Sequence, residues 1–285
     1  LAAYFGFYKN EGLNVEIVKV ESEKEALVTG KIDAAGGFMA SWLPAISNGV
    51  EFAFTTGIHT GCGSVVVLAD SGIKTFADRK GKTIAVSGGF GSGVHNYGMR
   101  AVIHEGLHPK DFNWINFDAS LGLDVLKKGH ADILVGADQM LQRWIKSGSV
   151  VRIHSNTFDA DFRDEPCCVF GISNDFIAKN PVSAQKLTRA VYRAALWLDA
   201  NDKNKYEACR YLRENNFINV DDDYAVELMK MWKFGVSNEQ CEICLDNSII
   251  EYVKAGIIGS NVDIANLRKI SWHSYDMSDI EKASF

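Results

Sequence analysis

Ser87-Gly88-Gly89-Phe90-Gly91-Ser92-Gly93 is the run whose residue types and order point most directly to chemistry. It follows an apolar stretch at 83–87 and opens a helical pattern carrying Val94, Tyr97, Met99 and Ile103. Such a strand–glycine loop–helix junction presents backbone N–H groups without helical partners, and its glycines admit a ligand close to the backbone. Anion binding by Phe90, Gly91, Ser92 and Gly93 is the expected use; the plain alternative is a tight turn with Ser92 as N-cap. Gly36-Gly37-Phe38-Met39-Ala40-Ser41-Trp42 is the corresponding junction earlier in the chain. There Phe38, Met39 and Ser41 are ligand candidates, and Trp42 reads as core. Two more polar loops, Thr56-Gly57-Ile58-His59-Thr60-Gly61-Cys62 and Gly136-Ala137-Asp138-Gln139, add His59, Thr60, Asp138 and Gln139. All four junctions lie at strand ends, where α/β sheets bind ligands. The plain readings are a local backbone bond for His59 and a helix cap for Asp138.

Three other patterns carry less. His104-Glu105-Gly106-Leu107-His108 matches the zinc-protease spacing, but that chemistry needs both histidines on one continuing helix. Gly106 ends the helix and Pro109 blocks its continuation. Gly81-Lys82-Thr83 lacks the earlier glycine of a phosphate loop, because position 76 is Phe, and a strand follows where a helix should. The six cysteines (Cys62, Cys167, Cys168, Cys209, Cys241 and Cys244) read as buried or half-buried thiols of open redox state. Cys241 and Cys244 share a helix face, but no second pair with zinc spacing accompanies them. No metal, cofactor or catalytic residue is expected.

The elements that position these loops follow from period and punctuation. Strands are expected at 15–20, 32–35, 52–56, 64–68, 83–87, 113–117, 133–135, 150–154 and 168–173. Helices are expected at 1–11, 23–29, 92–105, 121–128 and 138–146, then at 183–200, 205–215, 221–232 and 239–254. This alternation implies crossover units and a largely parallel sheet. A short repeat reinforces it. Asn10-Glu11-Gly12-Leu13-Asn14 parallels residues 104–108, and Gly30-Lys31-Ile32-Asp33 parallels Gly129-His130-Ala131-Asp132. Asp33 and Asp132 are therefore expected to be structural, each holding the turn before a buried strand. Two lobes on one plan follow: residues 1–75 with 165–285, and residues 76–164 as an insertion.

The composition fits that plan. The chain has 285 residues, 47% hydrophobic and 23% charged, and a net charge of −6. There is no basic footprint for nucleic acid and no apolar run long enough for a membrane span. The opening at Leu1 in a helical pattern suggests that a leader and a first strand precede it.

In order, helix–Gly-Leu–strand, Gly-Lys-Ile-Asp, Gly-Lys-Thr-Ile-Ala-Val with a glycine–serine helix start, and Cys-Cys–strand–Asn180-Pro181 resemble a known family. It is the solute-binding proteins of nitrate, sulfonate and taurine ABC importers, NMT1/THI5-like and SsuA-like. The resemblance implies an α/β, two-lobed type II periplasmic binding fold, each lobe a mixed sheet flanked by helices, with the ligand cleft between lobes. It also implies an extracytoplasmic receptor, periplasmic or extracellular and free or lipid-anchored. That receptor would be a monomer taking a small anionic or heteroaromatic molecule to a membrane permease. The alternative within the resemblance is a THI5-like pyrimidine synthase, or a binder of a pyrimidine thiamine precursor. Fungal members of that group use a Cys-Cys-Cys-Phe-Cys iron motif and a histidine on the first-lobe helix. Here Cys167-Cys168-Val169-Phe170-Gly171 offers two of four cysteines, and Ser41 falls at the histidine position. The expectation is a binding protein and not an enzyme.

Overall fold

The computed structural model describes residues 1–281. From the N-terminus run α1 (Phe7–Asn10), α2 (Glu23–Val28), β1 (Ala34–Phe38), α3 (Met39–Ser47), β2 (Phe52–Thr60) and β3 (Gly63–Leu68). Next come β4 (Thr83–Ser87), α4 (Gly93–His104), β5 (Asn113–Phe117), α5 (Gly122–Lys127), β6 (Ile133–Ala137), α6 (Asp138–Lys146) and β7 (Val150–Ser155). The chain continues with β8 (Pro166–Ser173), α7 (Asn174–Lys179), α8 (Pro181–Ala200), α9 (Asp202–Glu214) and α10 (Asp222–Met229). It closes with β9 (Phe234–Val236), α11 (Asn238–Ala255), α12 (Ile264–Ser271) and α13 (Ser278–Glu281).

The strands form two mixed-order sheets, one per lobe: β1-β8-β2-β9 and β5-β4-β6-β3-β7. In the second sheet the apolar runs of β3, β4 and β6 feed two cores at once. Val65, Ile84, Val86, Ile133 and Val135 meet α4 on one face, and Val66, Ala85 and Leu134 meet α5 and α6 on the other. Strands apolar at every position are the signature of a sheet covered on both sides. In the first sheet, Phe54 and Val169 pack with Trp42, Leu43 and Ile46 of α3 and with Leu245 and Ile249 of α11. Phe170 and Ile172 face α8 on the opposite side.

Several expectations are corrected. The sheets are not largely parallel: among the described residues the parallel ladders are those of β4 with β5 and β6, and every ladder of the first sheet is antiparallel. The reason is that β8 returns from the second lobe and inserts between β1 and β2. The lobe boundary also moves, because β3 precedes residue 76 yet hydrogen-bonds to β6 and β7. The first crossing is thus the dipeptide Gly61-Cys62, and the second runs over 156–165. Residues 15–20 form no ladder, and the helix expected over 1–11 is reduced to turns and α1. α7, α12 and β9 had no expectation.

Of the matched pair, only Asp132 uses its side chain as expected. Its Oδ2 accepts from Thr83 N at 3.2 Å, tying the turn before β6 to β4. Asp33 is exposed, and its main-chain carbonyl accepts from Ser173 N at 2.8 Å. Asp132→Ala is expected to lower unfolding free energy by about 1 kcal/mol in urea titration. Asp33→Ala should stay within about 0.5 kcal/mol of wild type; equal losses would restore the symmetric reading.

Candidate functional site

The lobes meet where the N-terminus of α4 lies on the β1–α3 junction. A Cβ on Gly93 would sit 2.6 Å from Cβ and Cγ of Phe38, so only glycine permits this approach. Asn96 Nδ2 donates to Ala40 O across the interface at 2.8 Å. Below this contact is a cavity of about 30 Å³, room for a water rather than a ligand, lined by Phe38, Met39, Tyr97, Arg100, Cys167 and Tyr252 among others. Above it an open groove of about 360 Å³ runs between α3 and α4. Ser41, Pro44 and Asn48 form one wall, Gly91, His95 and Asn96 the other, and Lys24 reaches in from α2. A volume of this size suits one small ring-bearing molecule.

Hydrogen bonds at the groove are already directional. His95 Nδ1 accepts from Gly91 N at 3.0 Å, so the neutral ring carries its proton on Nε2 and offers a donor. Burial lowers the His95 pKa and favours this neutral form. Ser92 caps α4, its Oγ accepting from His95 N at 3.2 Å. Gly89 N donates to Asn116 Oδ1 at 2.9 Å. Much of the glycine loop's donor capacity is therefore used by the chain itself.

The structure thus brings Phe38, Met39, Ser41, Gly91 and Gly93 to the interlobe surface. Phe90 stands at the rim, 61% exposed, with its ring edge toward His95. Asp138 lies elsewhere, fully buried at the crossings, accepting from Ser64 Oγ and Thr157 Oγ1 at 2.6 Å each. Gln139 is exposed, and its carbonyl accepts from Tyr224 Oη at 3.2 Å. Thr60 is buried, its Oγ1 accepting from Lys233 N at 3.1 Å. The zinc-protease pattern is dismantled: α4 ends at His104, and His108 caps a separate turn through Lys110 N.

Two constellations escaped the sequence reading. Arg100 is buried between the lobes, where Nη2 donates to Glu165 Oε1 at 2.9 Å and Nε to Glu251. Its place one turn from Tyr97 and His104, on the buried face of α4, was the signal available. The second constellation is His59, Cys62 and Cys168, whose ligand-capable atoms all lie within 4.8 Å of one another. Hydrogen bonds from Cys167 and Cys62 hold the Cys168 thiol well below its ordinary pKa against the opposing effect of burial, and His59 adds to this. Burial pushes Cys62 and Cys167 up. For His59, burial opposes protonation, but the charge and hydrogen bond of Cys168 carry its pKa upward. Two thiols and an imidazole are a donor set of the kind that thiophilic transition ions prefer.

Comparison with known proteins separates fold from activity. The chain is 29% identical over 210 residues to the 4-amino-5-hydroxymethyl-2-methylpyrimidine phosphate synthase of Schizosaccharomyces pombe, covering 69% of this chain and 60% of that relative. The match thus spans 60% of that relative's length, less than two thirds. The expectation of a non-enzyme is corrected by this match, since the relative is a named synthase. Among solved structures, the alkanesulfonate-binding protein SsuA of Xanthomonas axonopodis superposes with a TM-score of 0.73 at 16% identity, covering 96% of this chain and 93% of that one. The periplasmic nitrate-binding protein NrtA of Synechocystis gives 0.73 at 18% identity, covering 99% and 83%. These likenesses establish the two-lobed periplasmic binding fold. The sequence signature described as NMT1/THI5 like matches residues 1–204, nearly three quarters of the chain, and the protein belongs to that family.

Proposed function

We propose that this protein captures a small heteroaromatic molecule of the thiamine-pyrimidine class in the groove between α3 and α4, with the two lobes closing around it. The groove of about 360 Å³ carries the reading: it is ligand-sized, both lobes line it, and Lys24, Ser41 and His95 supply polar contacts. The Lys24 ammonium suits a phosphate or another anionic substituent, and His95 Nε2 is placed in the role of a neutral donor to a ring nitrogen. The fold supports a receptor role, with delivery to an ABC permease outside the cytoplasm. No described helix is long and apolar enough to cross a membrane. A second reading, catalysis of pyrimidine formation, is supported by the synthase relative together with the thiol–imidazole cluster.

Calorimetric titration with 4-amino-5-hydroxymethyl-2-methylpyrimidine, its phosphate, taurine and nitrate tests this. The pyrimidines should bind, and Ser41→Tyr, which fills the groove, should weaken them by at least ~10-fold (roughly 1.4 kcal/mol). Binding of taurine or nitrate alone would defeat the ligand class. Pyrimidine phosphate released by the protein without being supplied would establish the second reading.

A further inference from the structure

We infer that α6 and α10 form a second contact between the lobes, on the far side of the crossings from the groove, and that this contact limits how far the groove opens and so tunes its affinity. It rests on the lobe closure proposed above and not on which molecule the groove holds.

The layering puts the two contacts on opposite sides. In the second lobe, α4 covers one face of the sheet through Val94, Tyr97 and Ala101, and α5 and α6 cover the other through Leu126 and Leu141. In the first lobe, α3 and α11 cover one face and α8 the other. Ala208 of α9 packs with Ala195 and Leu198 of α8, and Ala225 and Val226 of α10 pack with Cys209 of α9. α10 therefore belongs to the α8 side. Across the lobes, α4 meets α3 and α11 through Asn96 and Arg100, whereas α6 meets α10. The crossings, Gly61-Cys62 and residues 156–165, run from sheet to sheet between these helix layers.

The far contact joins one face of each helix. Gln139, Arg143 and Lys146 recur at helical spacing along α6, as Tyr224 and Glu227 do along α10. Tyr224 Oη donates to Gln139 O at 3.2 Å, and the guanidinium carbon of Arg143 lies 4.7 Å from the centre of the Tyr224 ring. One turn further, Lys146 Nζ donates to Glu227 Oε2 at 2.6 Å. Tyr224 is half-buried and Arg143 exposed, so each link alone is weak. Two lobe arrangements that exchange differ little in free energy, and weak links present in one of them shift the balance.

Rotation about the crossings makes the two sides antagonists. Lifting α4 off Phe38 and Ala40 carries α6 toward α10, where Tyr224 and Arg143 already touch. Tyr224 is thus a stop on opening, and the links around it hold the helices at the spacing that goes with a shut groove. A ligand that needs both walls binds in proportion to the shut population, so a contact remote from the groove sets its apparent affinity.

Small-angle X-ray scattering of the unliganded chain tests the lever. Tyr224→Ala removes the stop, and its radius of gyration should rise above that of wild type with a compact scattering profile retained. Arg143→Ala, at an exposed position where the fold is not at risk, should raise it by less. Gln139→Trp adds a wedge on the same side and should leave it no larger than in wild type. In calorimetric titration with 4-amino-5-hydroxymethyl-2-methylpyrimidine, Tyr224→Ala should bind at least ~3-fold more weakly than wild type, and Gln139→Trp no more weakly. Because scattering needs no ligand, its answer holds whatever molecule the groove accepts. An unchanged radius of gyration in both Tyr224→Ala and Arg143→Ala, or opening by Gln139→Trp as large as by Tyr224→Ala, would overturn the lever.

Discussion

Arg100→Ala should cost the protein about 3–5 kcal/mol of unfolding free energy, the scale on which one partner of a buried ion network is removed. The Arg100 side chain is 9% exposed, and the Glu165 and Glu251 side chains are 16% and 18% exposed. Removing the cation strands two carboxylates in a poorly solvated place. Burial opposes the charge on Arg100, while the Glu165 carboxylate holds it and keeps its pKa above the ordinary value. Phe162 supplies a ring 4.8 Å from the guanidinium carbon. With total stability for domains in the range of about 5–15 kcal/mol, the loss is a large fraction of the whole. The urea midpoint should therefore fall sharply with little change in slope. Arg100→Lys keeps a charge but not the fork that spans both acids, and should recover only part of the loss. Replacing all three residues together (Arg100→Leu, Glu165→Gln, Glu251→Gln) should recover most of it, because no charge is left buried. A loss below about 1 kcal/mol for Arg100→Ala would mean that solvent screens the network.

The same network links the lobes, since Arg100 belongs to α4, Glu165 to the second crossing and Glu251 to α11. His104 extends it, with Nε2 3.0 Å from Asp161 Oδ2 and Nδ1 3.5 Å from Glu251 Oε1. The sequence could not display this arrangement. Arg100, Glu165 and Glu251 are 65 and 86 residues apart along the chain, and each alone looks like an ordinary surface charge. Only their convergence makes them a latch.

What was legible locally was read well. Strands at 83–87 and 113–117 and the helix at 138–146 match to the residue, because short apolar runs are bounded there by glycine, asparagine or aspartate. Cys241 and Cys244 do share a buried helix face. Residues 15–20 mislead because alternation reports a half-buried face, which Val15 achieves by packing near α8 without a ladder. Strand direction was not legible either: nothing in residues 166–173 says that they pass between β1 and β2. The strand–glycine–helix junctions at Phe38–Ser41 and Gly91–Gly93 are visible in the sequence because a glycine-rich strand end is a local feature. The His59–Cys62–Cys168 cluster was missed because 106 residues separate Cys62 from Cys168, and metal-site spacing rules address ligands close in sequence.

Lowering the pH from 6.5 to 4 should remove a further ~3 kcal/mol of stability through His154 alone. This histidine is 7% exposed on β7, and its Nδ1 lies 2.7 Å from Tyr97 Oη. The rings of Phe76 and Phe162 stand 6.4 and 5.0 Å away. Burial is the main cause of a pKa lowered to about 4; Asp159 opposes the shift, while His104 and Arg100 reinforce it. Above pH 6.5 both folded and unfolded chains hold the ring neutral, so this histidine adds no pH dependence. Below it the unfolded chain takes up a proton that the folded chain refuses until about pH 4. Stability must then fall with a slope approaching 1.36 kcal/mol per pH unit over that window. His95, also depressed by burial, acts in the same direction. His154→Gln keeps an acceptor for the Tyr97 hydroxyl but cannot titrate, so its stability should be lower at pH 7 and flatter between pH 6.5 and 4. Denaturant titrations at half-unit pH steps separate the two proteins. If both lose stability with the same slope, the acid sensitivity belongs to other groups. If the slope is lost in His154→Gln, protonation of His154 is the source of the acid sensitivity in this window.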